Sequence, residues 1–177
     1  MTSLLARTLG GAALAFVAVT GAQAQESTNQ VAVQTDWSVF VEPKDGKPKE
    51  CWGVSVPKET VNSRDGKPVS ARRGDILLFV TYRAGGGGRG EVSFTGGYPF
   101  ASGSTVTVDI GGTTFDLFTD GEFAWAAPEQ DASILAAMKK GNSAILSARS
   151  GRGTQTKDTF SLRGFTAAMD DAAKRCQ

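Results

Sequence analysis

Histidine is absent from this 177-residue sequence, and cysteine occurs only twice, at Cys51 and Cys176. The absence of histidine excludes catalytic triads with an imidazole base and zinc sites with histidine ligands. It also removes the side chain whose ordinary pKa lies nearest to neutral pH. If the two cysteines pair with each other, thiolate metal sites are excluded as well, and we therefore expect neither a metal ion nor a cofactor.

Long apolar runs are also scarce, and the one that exists lies near the N-terminus. The stretch Leu9–Val19 follows the single charged residue Arg7 and ends shortly before a small-x-small motif, Ala-Gln-Ala. This order is typical of a secretory signal peptide, and the run is shorter than the roughly 20 apolar residues of a membrane span. We predict a signal peptide over residues 1–24, cleaved between Ala24 and Gln25.

Export would place the protein in the periplasm, outside the cell or on the outer envelope, without an integral membrane span. The whole chain has 19 basic and 18 acidic residues, and removing Arg7 with the signal peptide leaves 18 of each. Nucleic acids and anionic membrane surfaces attract proteins that carry a basic excess. We therefore expect no nucleic-acid partner, and the sequence leaves the oligomeric state open.

Export also affects the interpretation of Cys51 and Cys176, because exported thiols meet an oxidising compartment and tend to pair. An internal disulfide between them would close a loop of more than 100 residues. Chain-entropy estimates give such a link about 4–5 kcal/mol of stabilisation. Two free thiols and an intermolecular bridge are the alternatives.

Short alternating segments separated by turns predict a flexible leader over residues 25–35 and a single mainly β domain over residues 36–177. The 22 glycines favour tight turns, and Gly111-Gly112 and Asp120-Gly121 are typical of two-residue hairpins. Because hairpins dominate over strand–helix–strand units, we predict an antiparallel, jelly-roll-like β-sandwich with two peripheral helices, one of them C-terminal. The predicted strands are 36–41, 51–56, 76–82, 91–94, 105–110, 113–118, 122–126, 143–148 and 158–162, and the predicted helices are 128–140 and 165–175.

The strand 76–82 is a near-continuous apolar run, which predicts a central strand that is buried on both faces. The three tryptophans, Trp37, Trp52 and Trp125, each lie in an alternating strand. They could line a sugar-binding face, but residues of this kind more often pack in the core. We therefore predict that all three are core residues.

A glycine-rich segment supplies the candidate binding loop, which contains Gly85, Gly87, Arg89 and Gly90. Its three glycines fit the G-x-G-x-x-G pattern of nucleotide sites. Such a site needs a helix to follow, because the helix N-terminus binds the phosphates. A strand-like segment follows here, so we interpret the loop as a flexible hairpin turn.

The tripeptide Arg73-Gly74-Asp75 matches an integrin-binding motif. Integrin recognition requires the tripeptide at an exposed loop tip. Here it directly precedes the strongest predicted strand, so we interpret it as the end of a loop.

Carboxylates provide the remaining candidate for catalysis. Asp109 with Asp116, or Asp120 with Glu122, could form the acid pair of a hydrolase or a carbohydrate-processing enzyme. All four flank tight turns, where we expect them to cap hairpins or face solvent. We therefore assign no catalytic residue.

Several features together resemble the invasion-associated locus B family of exported alphaproteobacterial proteins. They are the early Trp37, Cys51, the segment Ser161–Met169 with its Gly164-Phe165 pair, and the terminal Cys176. Members often carry further cysteines in the middle of the chain, which this sequence lacks. The resemblance offers no active site to transfer. It favours a non-enzymatic envelope protein that binds another protein or a surface polymer, with the carboxylate-based enzyme as the alternative.

Overall fold

The structure is a computed structural model that describes residues 29–177. The predicted signal peptide and its cleavage site between Ala24 and Gln25 lie outside the described residues. Twelve strands and two helices are present in the described part of the chain. They are β1 (Gln30–Gln34), β2 (Trp37–Glu42), β3 (Glu50–Ser55), β4 (Glu59–Arg64), β5 (Lys67–Pro68), β6 (Leu77–Arg83), β7 (Gly90–Thr95), β8 (Thr105–Ile110), β9 (Thr113–Asp120), β10 (Phe123–Trp125), α1 (Asp131–Lys140), β11 (Ser143–Arg149), β12 (Gln155–Ser161) and α2 (Phe165–Arg175).

The strands form one antiparallel sheet in the order β1-β2-β3-β6-β7-β10-β9-β8-β11-β12-β4-β5. Strands that are distant in this order nevertheless meet. The rings of Phe94 on β7 and Phe160 on β12 pack edge to face, with their centroids 6.1 Å apart. The indole of Trp37 on β2 donates a hydrogen bond of 2.9 Å to the carbonyl of Ser161. The sheet therefore folds over on itself, which confirms the predicted antiparallel β fold with two helices.

The core lies between the two halves of the folded sheet, and alternate residues of each strand point into it. On β6, for example, Leu78, Val80 and Tyr82 are buried, whereas the residues between them are only partly buried. The prediction that this strand is buried on both faces is therefore wrong. Burial of the phenol raises the pKa of Tyr82 to about 12.

Three strands, β1, β4 and β5, lie outside the nine predicted strands, although the polar segment 57–74 is compatible with either a loop or a weak hairpin from its sequence. The predicted flexible leader, residues 25–35, contains β1, whose residues from Gln30 to Gln34 pair with β2. β4 pairs with β12, and a turn at Asp65-Gly66 connects β4 to β5. Most side chains of β4 and β5 are exposed. Because these strands bury so few side chains, their sequences lack the apolar alternation by which a strand is recognised.

The C-terminal helix α2 packs on the inner face of β2 and β3. Phe165 contacts Trp37 edge to face at 4.9 Å between ring centroids. Gly53 on β3 leaves room for the helix, because a Cβ atom there would lie 2.0 Å from the Met169 Cε atom and the Met169 side chain would have to move. The helix ends at Cys176, which forms a disulfide with Cys51 of β3 across a Cα–Cα distance of 5.9 Å. The structure thus contains the disulfide that the sequence predicted.

Removing the disulfide should destabilise the fold, because the link closes a loop of 125 residues in the unfolded chain. We expect the double variant Cys51→Ala/Cys176→Ala to lose about 4–5 kcal/mol of unfolding free energy, measured by denaturant titration. A reductant should lower the melting temperature of the wild type and leave that of the double variant unchanged. Two free thiols in the mass spectrum of the unreduced, exported protein would contradict the assignment.

Candidate functional site

The outer face of the strands β2-β3-β6-β7-β10-β9 is rich in aromatic side chains. These residues alternate with the core residues of the same strands and therefore point away from the core. We call this surface the aromatic face, and its six aromatic residues are Phe40, Trp52, Phe79, Phe118, Phe123 and Trp125.

The strand register places several of these side chains in one row. Phe79 on β6 lies between Val54 of β3 and Ser93 of β7. On the far side of Ser93 the row continues with Trp125 of β10 and then Phe118 of β9. Neighbouring strands are about 4.8 Å apart, so a row across six strands extends about 24 Å. The aromatic face is therefore one continuous surface.

Ring stacking extends this surface. Trp125 stacks on Phe118 and on Phe123, with ring centroids 5.8 and 5.7 Å away, and Phe40 stacks on Trp52 at 5.7 Å. Phe118 is 52% exposed and Phe123 is 43% exposed. The solvent side of an antiparallel sheet is normally polar, so exposed rings on this side are unusual.

The prediction that all three tryptophans are core residues is wrong for two of them. Trp37 is fully buried, but Trp52 and Trp125 belong to the aromatic face and are only partly buried. One pattern in the sequence indicates an apolar outer surface. β6 carries bulky apolar residues in both alternating registers, whereas in β10 the bulky Phe123 and Trp125 share one register and the small Ala124 occupies the other.

One end of the aromatic face meets the predicted binding loop in a groove of about 560 Å³. Arg89 and Gly90 line this groove together with Phe118, Trp125 and Leu135 of α1. The other two predicted loop residues, Gly85 and Gly87, lie in the exposed β6–β7 turn with positive φ angles of 78° and 68°, and they do not line it. The structure thus places half of the predicted loop beside the aromatic face.

The four candidate acids do not share a site. The Asp109 carboxylate accepts a hydrogen bond from the Gly112 backbone N–H at 2.8 Å, which caps the β8–β9 turn. Asp116 accepts one from the Thr107 hydroxyl at 2.9 Å. Asp120 and Glu122 are exposed at the β9–β10 turn, and of the four only Glu122 lines a described cavity. The expected hairpin positions of these acids are thus observed.

The cavity beside Glu122 has a volume of about 490 Å³ and lies where three segments converge. Four arginines line it, and we call it the arginine cleft. Arg64 ends β4, Arg72 and Arg73 lie in the loop before β6, and Arg152 lies in the β11–β12 turn.

Arg73 forms a buried ion pair with Asp158 below the arginine cleft. Two guanidinium nitrogens of Arg73 donate to the two carboxylate oxygens of Asp158 at 2.7 and 2.5 Å. Its Nε donates to the Gly96 carbonyl at 2.8 Å, and its guanidinium lies 5.1 Å from the centre of the Tyr98 ring. Both side chains are buried, with 6% of Arg73 and 0% of Asp158 exposed. Burial raises the pKa of Asp158, and the hydrogen bonds from Arg73 oppose that rise.

This ion pair also explains the Arg73-Gly74-Asp75 tripeptide. Because the arginine is buried against Asp158, the tripeptide does not present its cation at a loop tip. Gly74 donates a backbone hydrogen bond of 2.8 Å to Gly97, which fixes the loop end. The expected structural interpretation of the tripeptide is therefore confirmed.

Breaking the buried pair should destabilise the fold strongly. In Asp158→Asn the guanidinium of Arg73 would lose its buried counter-ion, and we expect the unfolding free energy to fall by about 3–5 kcal/mol. The matched control is Glu91→Gln, which removes one partner of the exposed Arg83 and should change stability by less than about 1 kcal/mol. Denaturant titration measures both changes, and equal losses in the two variants would contradict this account.

Residues 29–177 contain neither a metal-binding cluster nor a membrane-spanning helix. No group of three acidic or cysteine side chains in this range could hold a metal ion. Neither of the two helices here is long and apolar enough to cross a membrane.

Comparisons with known proteins agree with the fold. A family model described as Invasion associated locus B (IalB) protein matches residues 37–173. No curated protein matches the chain significantly. Among solved structures, the chain is similar to the crystal structure of invasion associated protein B from Bartonella henselae, with a TM-score of 0.54 and 13% identity. The match covers 81% of this chain and 95% of the Bartonella chain, and at this identity it shows the fold alone.

Proposed function

The chain belongs to the Invasion associated locus B (IalB) family, and from this premise we propose that it is an exported, non-enzymatic protein of the cell envelope that binds another protein. The observation that carries the proposal is the aromatic face. Two of its rings, Phe118 and Phe123, are about half exposed, and Phe118 and Trp125 line a groove that opens beside Leu135 of α1.

The aromatic face has the composition of a protein interface. Its centre is apolar, with Trp125, Phe118 and Phe79. At one end Arg83 pairs with Glu50 at 2.9 Å and with Glu91 at 2.5 Å, and these exposed pairs form a charged rim. Protein interfaces are enriched in aromatic residues and arginine, and they combine a dry centre with a polar rim.

A protein partner fits this surface better than a polysaccharide. A sugar-binding surface needs hydrogen-bonding side chains between its aromatic rings, because each sugar carries several hydroxyl groups. In the row that contains Phe79, Trp125 and Phe118, the other facing side chains beside these rings are Val54 and Ser93, so a single hydroxyl lies among them. The polar Thr81 and Asp120 lie outside this row, opposite Trp52 and Phe123. A surface polymer is the second candidate, and the binding experiment below distinguishes the two.

Two observations support export. The N-terminal pattern is that of a signal peptide, and the cysteines at 51 and 176 are joined in a disulfide, a bond that persists in oxidising compartments. We propose that the mature protein begins at Gln25 and functions in the periplasm or at the outer envelope.

Processing at this position is directly measurable. We expect the intact mass of the protein from a periplasmic or secreted fraction to correspond to residues 25–177 with one disulfide. Replacing the apolar run of the signal peptide with charged residues should leave the full chain in the cytoplasm. Export would be contradicted if the wild-type protein kept residues 1–24 and was found in the cytoplasmic fraction.

The enzymatic alternative is not favoured. A glycosidase of the usual kind needs two carboxyl groups that flank the scissile bond, within about 10 Å of each other. Of the four candidate acids only Glu122 lines a cavity, and the other carboxylate at that cavity, Asp158, lies beneath it in the ion pair with Arg73.

Removing the aromatic side chains should abolish binding. We expect Phe118→Ser/Trp125→Ser to reduce capture of envelope proteins by at least roughly tenfold, because buried aromatic residues dominate interface energies. The matched control is Val61→Ser, which changes a residue on β4 that is 43% exposed and lies away from the aromatic face. Quantitative mass spectrometry of proteins retained by each immobilised variant makes the comparison.

The captured partner is then purified, and its dissociation constant is measured with the wild type, with Phe118→Ser/Trp125→Ser and with Val61→Ser. Circular dichroism and thermal unfolding check that each variant is folded. Equal binding by the aromatic-face variant and the wild type would refute the proposed surface. If the immobilised wild type retained a polysaccharide instead of a protein, the ligand of the aromatic face would be a surface polymer.

A further inference from the structure

We propose that the arginine cleft is a second binding site, separate from the aromatic face, and that it takes an oxyanion, the phosphate or carboxylate group of a small ligand or of one unit of a polymer. The inference goes beyond the proposed function, because it concerns a different cavity and a different ligand chemistry.

The charges of the cleft are unbalanced. Four arginines line it, and Glu122 is the one acidic side chain among its lining residues. Arg73 is neutralised by Asp158 below the cavity. Arg64, Arg72 and Arg152 therefore face a single carboxylate. Such a concentration of one sign of charge in a concave site attracts anions.

Two arginines have no counter-ion in the described part of the chain. Between residues 29 and 177, neither Arg72 nor Arg152 forms a salt bridge or a side-chain hydrogen bond, and both are exposed at the mouth of the cavity. A structural role therefore accounts for Arg73 but not for these two. Their guanidinium groups are available to a ligand.

The remaining contacts hold the cleft in shape. Arg64 donates a hydrogen bond of 2.8 Å to the hydroxyl of Thr154. The backbone N–H of Thr154 donates to the hydroxyl of Ser150, and both of these residues are buried. Tyr98 forms part of the wall, where its hydroxyl bonds to Thr156. A site that is formed before binding loses less conformational entropy when the ligand arrives.

Size and donor geometry define the class of ligand. A cavity of about 490 Å³ is within the range of small-molecule sites. Each guanidinium presents parallel N–H donors that match the two oxygens of a carboxylate or a phosphate. The cleft therefore suits a compact group with one or two negative charges rather than a neutral sugar.

Calorimetric titration of the mature protein tests the proposal with two probes, inorganic pyrophosphate and trigalacturonate, each at low and at physiological salt. We expect at least one probe to bind, and binding to weaken as salt rises. Arg72→Gln and Arg152→Gln should each weaken it roughly tenfold, since a hydrogen bond to a charged group contributes about that factor. Thermal unfolding checks that both variants are folded.

The matched control is Arg163→Gln, which removes an exposed arginine at the opposite end of β12 and should leave binding unchanged. Binding of pyrophosphate alone would identify a phosphate ligand, and binding of trigalacturonate alone a carboxylate ligand. Absence of binding by both probes would overturn the proposal. An equal loss in Arg163→Gln would also overturn it, because binding would then follow net charge and not the cleft.

Discussion

The packing of α2 against the inner face of β2 and β3 is the contact on which the rest of the structure depends. Phe165 meets Trp37 in the core, and Met169 occupies the space that Gly53 leaves open. The disulfide at Cys176 then ties the end of this helix to β3. With α2 in place, the inner side of these strands is buried, and Phe40 and Trp52 on their other side stay partly exposed.

The outer side of the sheet is rich in aromatic side chains. In most antiparallel sheets the side away from the core is polar, because water contacts it. Here Phe79, Trp125 and Phe118 lie on that side, and Phe118 is 52% exposed. Exposed rings of this kind favour aggregation unless another molecule covers them. The arginine cleft differs in chemistry: the ion pair of Arg73 and Asp158 lies beneath it, and Arg72 and Arg152 at its mouth have no ion-pair partner among residues 29–177.

Local sequence patterns predicted much of the fold. Apolar alternation and one near-continuous apolar run identified nine of the twelve strands within residues 29–177, and the spacing of apolar residues from Phe165 to Arg175 identified α2 with its observed bounds. The strands β1, β4 and β5 could not be found in this way, because their pairing depends on backbone hydrogen bonds to β2 and β12 and not on apolar side chains. The site was less accessible than the fold: of the predicted loop, only Arg89 and Gly90 line the groove.

The sequence by itself determined the antiparallel β class, the two helices, the family resemblance and, with only two cysteines present, the disulfide partners. Tertiary structure alone decided which side of each strand is covered, so that Trp37 is buried while Trp125 is on the surface. It also decided that Arg73 meets Asp158, 85 residues later, and that three separate segments bring four arginines to one cavity. The physical reason is the sequence separation of the interacting residues. Apolar periodicity reflects interactions between residues that are close in the sequence, whereas burial and charge pairing depend on contacts between segments that are distant in the chain.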